Sequence, residues 1–503
     1  MIRAAEGRSS RRSRADVWPV FLTCWLVYTA FWTPYIVREH FPAVALAERG
    51  SLNVDRYLGW TEDIFRGPGG GAYINNNPGA SLTGAIPLLV LRPLLAKVDE
   101  WNQMLPRPVC AAHQDEELFW RTVAEGRAFY FLLVAFVTVA MVMAPATAVT
   151  AAYLCTRLSD AGVPTASAAG AAVLYGLGTP VLFRVGLLNH NLLVGDAGII
   201  ALLLLWDPND RPLHPTRAAL GGLLAGYAVL CDFSGVVVVV VAALYTWLRS
   251  GGEQGTRRWR VVAAYTAGAA LGVAALAFYQ VWAFGSPYLP SQHYMPPTAP
   301  TARGYRGFDW PSPALLWANF FDPRFGLFAY CPALILAFAA PFTTRVRYRV
   351  PQRETRILLT YFVLFVLFCA ANQYSWLQPR TGFRYLVPVV PALALLALQV
   401  GQALPRVVRW VVASVSCAQS GLLVVAHVND VRLAVSTLWQ RRLALPWMIR
   451  LGEAGVPVTW VWTLLTYVLL TLSVAFIWLA PKLRNRRAAS IGTAAPGHPA
   501  AGA

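Results

Sequence analysis

Charge is what this 503-residue chain has least of: Asp, Glu, Lys and Arg make up 13% of it, against 57% hydrophobic residues. That balance excludes an ordinary soluble domain, about a quarter of which is charged. Acids are the scarcer sign, 24 Asp and Glu against 42 Lys and Arg, which leaves a net charge of +18. The bases are spread over many short loops without one continuous aromatic-basic face, so a nucleic-acid binder is a poor reading. Cysteine is also sparse. Cys24, Cys155, Cys231, Cys369 and Cys417 fall in or beside apolar runs, and no CxxC or Cys/His ligand spacing occurs. Neither a disulfide framework nor a zinc site is indicated. Internal repeats, a Walker loop and a Rossmann fingerprint are all missing. The run Gly67-Pro68-Gly69-Gly70-Gly71 has no predicted strand before it.

Long apolar runs are what the chain does have. Positions 17–37 carry no charge between Asp16 and Arg38 and are long enough to cross the hydrocarbon core. The preceding Arg8-Ser9-Ser10-Arg11-Arg12-Ser13-Arg14 is a basic stretch of the kind kept in the cytoplasm. The run's length, with no small-x-small cleavage site after it, reads as an uncleaved anchor. Further spans fall at about 128–155, 165–188, 191–206, 217–231, 233–248, 261–283, 326–344, 357–372, 385–404, 407–428 and 458–480, about twelve in all. With the N-terminus inside, every inside loop is basic, most strongly at Arg249, Arg257, Arg258 and Arg260, and at Arg345, Arg347, Arg349, Arg353 and Arg356. The expected architecture is an all-α polytopic protein of the cell membrane with both termini cytoplasmic. It divides into a basic N-terminus (1–16), a membrane domain (17–487) and a disordered tail (488–503), with outside segments at 38–127, 284–325, 373–384 and 429–457.

The outside segments concentrate the acids. The first contains Asp55, Glu62 and Asp63, and its stretch 80–95 is apolar enough to lie as a helix on the membrane surface. Three motifs follow one another there: Gly50-Ser51-Leu52-Asn53-Val54-Asp55-Arg56-Tyr57, Thr61-Glu62-Asp63, and Tyr73-Ile74-Asn75-Asn76-Asn77-Pro78-Gly79. Further along come Leu188-Asn189-His190-Asn191, then Phe321-Asp322-Pro323-Arg324-Phe325-Gly326-Leu327, and Gly382-Phe383-Arg384-Tyr385-Leu386-Val387-Pro388. In this order, on one side of the membrane, they resemble the GT-C superfamily of polytopic glycosyltransferases, including its mannosyl- and aminoarabinose-transferring types. The similarity runs from about residue 17 to 400, and it departs from the family by carrying Asn76 and Asn77 where an acid and a Lys usually stand. The resemblance implies a GT-C fold and transfer of a sugar from a polyprenyl-phosphate carrier to a lipid, glycan or protein acceptor. A first-loop carboxylate would be the base. Some members of the superfamily use a divalent cation that bridges acid and phosphate, and this sequence leaves that open.

Such chemistry needs a carboxylate to take the proton of the attacking hydroxyl and guanidinium groups to hold the departing phosphate. Asp55 and Asp63 lead as bases, with Glu62 third; the plain alternative is that each caps a short helix. Arg380 and Arg384 lead for the phosphate, against simple contact with lipid headgroups. Within the motifs Asn77, His190, Arg324 and Tyr385 are further substrate-binding candidates, although Asp322-Pro323-Arg324 also reads as a local ion pair or turn. Tyr288, Tyr294 and Trp376 suit stacking on a sugar and equally suit an interfacial belt. Asp232 sits between two short apolar runs, where Asp232-Phe233-Ser234-Gly235 reads as an outside turn. The rival to the enzyme is a transporter or flippase of lipid-linked glycans, for which polar groups at mid-membrane and a repeated half are the usual marks.

Overall fold

The computed structural model describes residues 17–105, 118–252, 255–344, 346–378, 383–428, 430–441, 443–453 and 455–492, with backbone alone for 481–492. The stretch 1–16 and the candidate Arg380 lie outside the described residues.

Helices dominate. The α-helices of ten residues or more are α1 (Val17–Ala30), α2 (His40–Arg49), α3 (Gly79–Val90), α4 (Arg92–Met104), α5 (Ala128–Asp160), α6 (Thr165–Leu177), α7 (His190–Leu205), α8 (Pro215–Cys231), α9 (Gly235–Arg249), α10 (Thr256–Phe284), α11 (Gln352–Ala371), α12 (Val390–Gly401), α13 (Arg406–Ala426) and α14 (Trp460–Gly492), and Pro332–Phe342 is a 3-10 helix. Five of them are long and apolar enough to cross a membrane: α5, α10, α11, α13 and the 460–480 part of α14. Shorter apolar helices, among them α1, α6, α7, α9 and α12, stand where the sequence reading expects the other spans. Their shortness has local causes. Helix α1 stops ahead of Thr33-Pro34, because a proline excludes the helical conformation from the residue before it. Helix α6 stops ahead of Gly178-Thr179-Pro180 for the same reason. Within α5 a π-turn at Val139–Met143 precedes Pro145, which has no N–H to give the regular ladder.

Three expectations need correction. The surface helix at 80–95 is two helices, α3 and α4, bent by 84°. Pro93 opens the second and cannot continue the first. The fold is not purely helical either. Ile64–Arg66 and Ala72–Ile74 pair antiparallel, Ile64 opposite Ile74, and the glycine run between them is their turn, with Gly70 at φ +84°. A short strand therefore does precede that run, although a hairpin partner follows it and not a phosphate-binding helix. Finally, α14 runs to Gly492, into the stretch expected to be irregular, where Ala488 and Ala489 favour helix.

Helices α8 and α10 cross in backbone contact. A Cβ added to Gly222 or Gly226 would overlap the carbonyls of Tyr265 and Ala269, and one on Gly268 or Gly272 would overlap Ala219 and Gly226. Paired small-xxx-small strips of this kind let two helices approach closely in lipid. Loops that the charge pattern puts on one side of the membrane also meet one another. At one end Arg249 pairs with Asp210, which also takes Arg353 at 2.7 Å. At the other, Gln373 N donates to Gly307 O at 2.8 Å and Val431 N to Pro323 O at 2.9 Å.

Candidate functional site

Between α1 and α2 the chain runs irregularly through 31–39, with Thr33 N donating to Gly186 O at 2.7 Å. This lays the segment on the turn between α6 and α7. Glu39, the residue before α2, ends up 3% exposed. Its Oε1 accepts from Nδ1 of His190, the first residue of α7, at 2.7 Å. Asn189 caps that helix by accepting from Leu192 N at 3.1 Å, which orients His190 at its mouth. Asn76 Nδ2 donates to the same Glu39 oxygen at 2.5 Å, and Ser81 Oγ donates to the Glu39 carbonyl at 2.9 Å. The other ring nitrogen of His190 lies 3.7 Å from Asp232 Oδ2 and 3.1 Å from the Asn191 amide.

The hairpin supplies a second acid. Asp63 precedes its first strand, pairs with Arg38 and accepts from Asn75 Nδ2 at 2.7 Å. Arg38 Nε is in turn 3.7 Å from Glu39, so one guanidinium serves both acids. Burial by itself would raise the Glu39 carboxyl. The hydrogen bond and charge of His190 and the charge of Arg38 outweigh it, and hold Glu39 well below the usual carboxylate range. The neighbouring His40 is pushed down to about 4 by burial. Its Nδ1 accepts from Val37 N at 3.1 Å, so it is a neutral packing residue.

Cations gather beside these acids. Arg184, in the short helix Val181–Arg184 of the turn, is 1% exposed. Arg384, Tyr330 and Glu39 lie within electrostatic reach of it. Arg384 donates to the Tyr385 hydroxyl at 2.8 Å, and its Nε is buried without a hydrogen-bond partner among the described residues. Two guanidiniums within electrostatic reach of each other, one buried and one half-buried, favour an anion beside them.

Of the residues singled out from sequence, the fold brings Asp63, His190, Arg384 and Tyr385 to this cluster, along with Asp232. Asp55 does not share it: exposed on a turn of 3-10 helix, it accepts from Ala72 N at 2.7 Å and so braces the hairpin. Gly59 at φ +82° rules out a continuous helix joining Asp55 to Glu62, and Glu62 is exposed. Asn77 ties α3 to α8 by donating to Val229 O at 2.8 Å. Arg324 is taken up by a two-pronged pair with its own neighbour Asp322, at 2.9 and 2.7 Å. Tyr294 stacks on Phe284 and Trp376 packs edge-on against Phe325, whereas Tyr288 is free at the surface. Asp232 makes the expected turn, accepting from Ser234 N at 2.8 Å. Glu39 and Arg38 are functional candidates that the sequence reading passes over. An acid directly after the first span is the signal that points to Glu39.

The segment 291–295 covers the cluster. Ser291 Oγ and Gln292 Nε2 donate to Asn75 O at 2.6 and 2.8 Å, and the Tyr374 hydroxyl reaches Met295 Sδ at 3.8 Å. Among the described residues, no three His, Cys, Asp or Glu side chains are grouped as metal ligands; Glu39 and Asp63 both turn to Arg38. The chain matches no known family model, no curated protein and no solved structure.

Proposed function

We propose that the protein is a membrane glycosyltransferase of the GT-C type, with the remaining shorter helices completing about twelve spans. It would move a sugar from a polyprenyl-phosphate carrier to a lipid, glycan or protein acceptor at the extracytoplasmic face. The observation that carries this reading is the meeting of a buried first-loop acid, Glu39, with His190 and with the guanidiniums of Arg38, Arg184 and Arg384, at one end of the helices. Glu39 takes the role of base in place of Asp55, and Asp63 is the runner-up. The acceptor hydroxyl passes its proton to Glu39 and its oxygen bonds to the anomeric carbon. The bond from that carbon to the phosphate oxygen breaks, and the polyprenyl phosphate leaves against the Arg cluster. One displacement inverts the anomeric centre.

The low basicity of Glu39 beside His190 and Arg38 fits this sequence of events. A phosphate bound to Arg38 and His190 offsets the charges that hold the carboxyl down. Burial then becomes the main influence and raises it, so the base strengthens as the donor arrives. One feature favours the rival transporter reading: Asp196, in the middle of α7, is a buried acid at membrane depth.

The test is transfer from a panel of radiolabelled polyprenyl-phosphate sugars in membranes with wild type, Glu39→Gln and Asp63→Asn. Glu39→Gln should abolish transfer while donor binding persists. Transfer that survives in Glu39→Gln but not in Asp63→Asn moves the base to Asp63. No transfer from any donor by the wild type, alongside movement of lipid-linked glycan across the membrane, refutes the enzyme.

A further inference from the structure

Asp196 plays no part in the proposed reaction. It lies six residues into α7 from His190, roughly 9 Å along the helix axis at 1.5 Å per residue. The sequence hides it, because the stretch from Leu192 to Leu205 is otherwise apolar or small. It is 4% exposed, and its Oδ2 accepts from Thr147 Oγ1 on α5 at 2.7 Å. Thr150, one turn further along α5, also acts on it. The groups acting on Asp196 are these hydroxyls, with no cation among the described residues. Its Oδ1 is buried and has no hydrogen-bond partner among the described residues.

Besides Tyr227, whose hydroxyl is bonded to Thr83 Oγ1 at 2.7 Å, two phenols stand within electrostatic reach of that carboxylate. Tyr175, on α6, is 1% exposed, and its hydroxyl is likewise buried and unpartnered among the described residues. Tyr28, on α1, is 0% exposed. The Tyr28 hydroxyl occupies a notch at Gly176, 2.5 Å from where a Cβ would stand, with the Cys24 thiol beside it. Neither phenol donates to Asp196, although an ionised carboxylate in this setting leaves a large desolvation penalty unmet. Four helices therefore bring oxygen atoms within electrostatic reach of one another, and among the described residues Asp196 Oδ1 and the Tyr175 hydroxyl are buried without a hydrogen-bond partner.

We propose that Asp196, Thr147, Thr150, Tyr28 and Tyr175 form an intramembrane site for one alkali-metal cation, Na+ or K+. The donors are one carboxylate and four neutral hydroxyls, hard oxygens carrying a single negative charge, which a monovalent ion neutralises and a divalent ion overcharges. Occupancy would draw α1, α5, α6 and α7 together below the chemical site. The proposal stands apart from the transferase reading, and its test involves no sugar.

The experiment compares the melting temperature of the purified full-length protein in NaCl, KCl and choline chloride at equal ionic strength and pH, with radiosodium binding in parallel. The wild type should gain about 2–4 °C in at least one alkali salt over choline, saturably. Which salt stabilises identifies the ion. Asp196→Asn should abolish the difference, and Thr147→Val and Tyr175→Phe should raise the half-effective salt concentration about tenfold. Those two conservative variants decide the matter if Asp196→Asn does not fold. Equal melting of the wild type in all three salts without saturable radiosodium binding overturns the proposal. So does a response unchanged in these variants, which places the ion elsewhere.

Discussion

Arg127 fastens the first outside segment, and removing it should loosen that segment alone. It is 1% exposed, directly before α5. Its Nη2 meets Glu48 at 2.6 Å, its Nε meets Asp99 at 2.8 Å, and its Nη1 reaches the Tyr57 hydroxyl at 3.3 Å. The guanidinium also lies 4.0 Å above the Tyr130 ring. One side chain thus joins α2, α4, α5 and the 3-10 turn. Arg127→Met keeps the apolar stem and leaves two carboxylates without their cation. Breaking a fully buried pair costs about 3–5 kcal/mol. Glu48 and Asp99 keep side-chain exposures of 27% and 22%, so water recovers part of the loss. The expected cost is about 2–3 kcal/mol. Amide hydrogen exchange in α2 should then speed up roughly 30- to 150-fold. Exchange at the Arg249 end of α9, beside Asp210 at the other end of the protein, should stay as it is. The triple variant with Glu48→Gln and Asp99→Asn should win back most of the protection, because no unpaired charge remains. Unchanged exchange in α2, or no recovery in the triple variant, refutes the account.

Three further outcomes are expected. His40, depressed to about 4, favours the folded state in its neutral form. That contribution is complete above the ordinary histidine value near 6.5 and is lost as pH falls from there to about 4, on the order of 3 kcal/mol; melting against pH should show the slope, and His40→Gln should flatten it. In Gly79→Ala the new Cβ would stand 2.7 Å from the backbone of Leu230 and Cys231, prying α3 from α8 at a cost of about 1–3 kcal/mol. Transfer should fall with stability there, read by parallel melting and sugar-transfer assays. Asp55→Asn removes a charge from a bond to Ala72 N, so about 1–2 kcal/mol of stability should go while transfer stays within a few-fold of wild type.

Legibility from sequence follows the range of the interactions involved. Helices such as α9 and α13 are plain in Gly235–Arg249 and Arg406–Ala426, because an apolar run of that length is a local property. The breaks are local too, yet they are easily read through: Thr33-Pro34 ends α1 although the apolar run continues to Val37, and Pro93 bends a pair that composition alone joins. The site is another matter. Glu39 and His190 are 151 positions apart, and no periodicity links them. Asp63 is recognisable by its motif, but its partner Arg38 reads only as a membrane-border charge. Asp55 fits the motif as well as Asp63 does, and the contacts that separate their roles, Asp55 with Ala72 and Asp63 with Arg38, join residues 17 and 25 positions apart. Asp196 is swamped by thirteen neighbours of apolar or small character, so hydropathy alone conceals it.

The glycine contact between α8 and α10 has a mechanical side. Two helices meshed backbone to backbone have no side chains between them to shear, so they behave as one beam. The far end of α8 carries Asp232, and the far end of α10 leads into the segment 291–295 that covers the cluster. The cover and one wall of the site are thereby mounted on a single rigid body. Any widening of the mouth has to come from the irregular segment 31–39, because the hairpin is itself packed on α10, with Phe65 and Tyr73 against Phe284. Substrate access is then a displacement of Glu39 relative to a fixed roof.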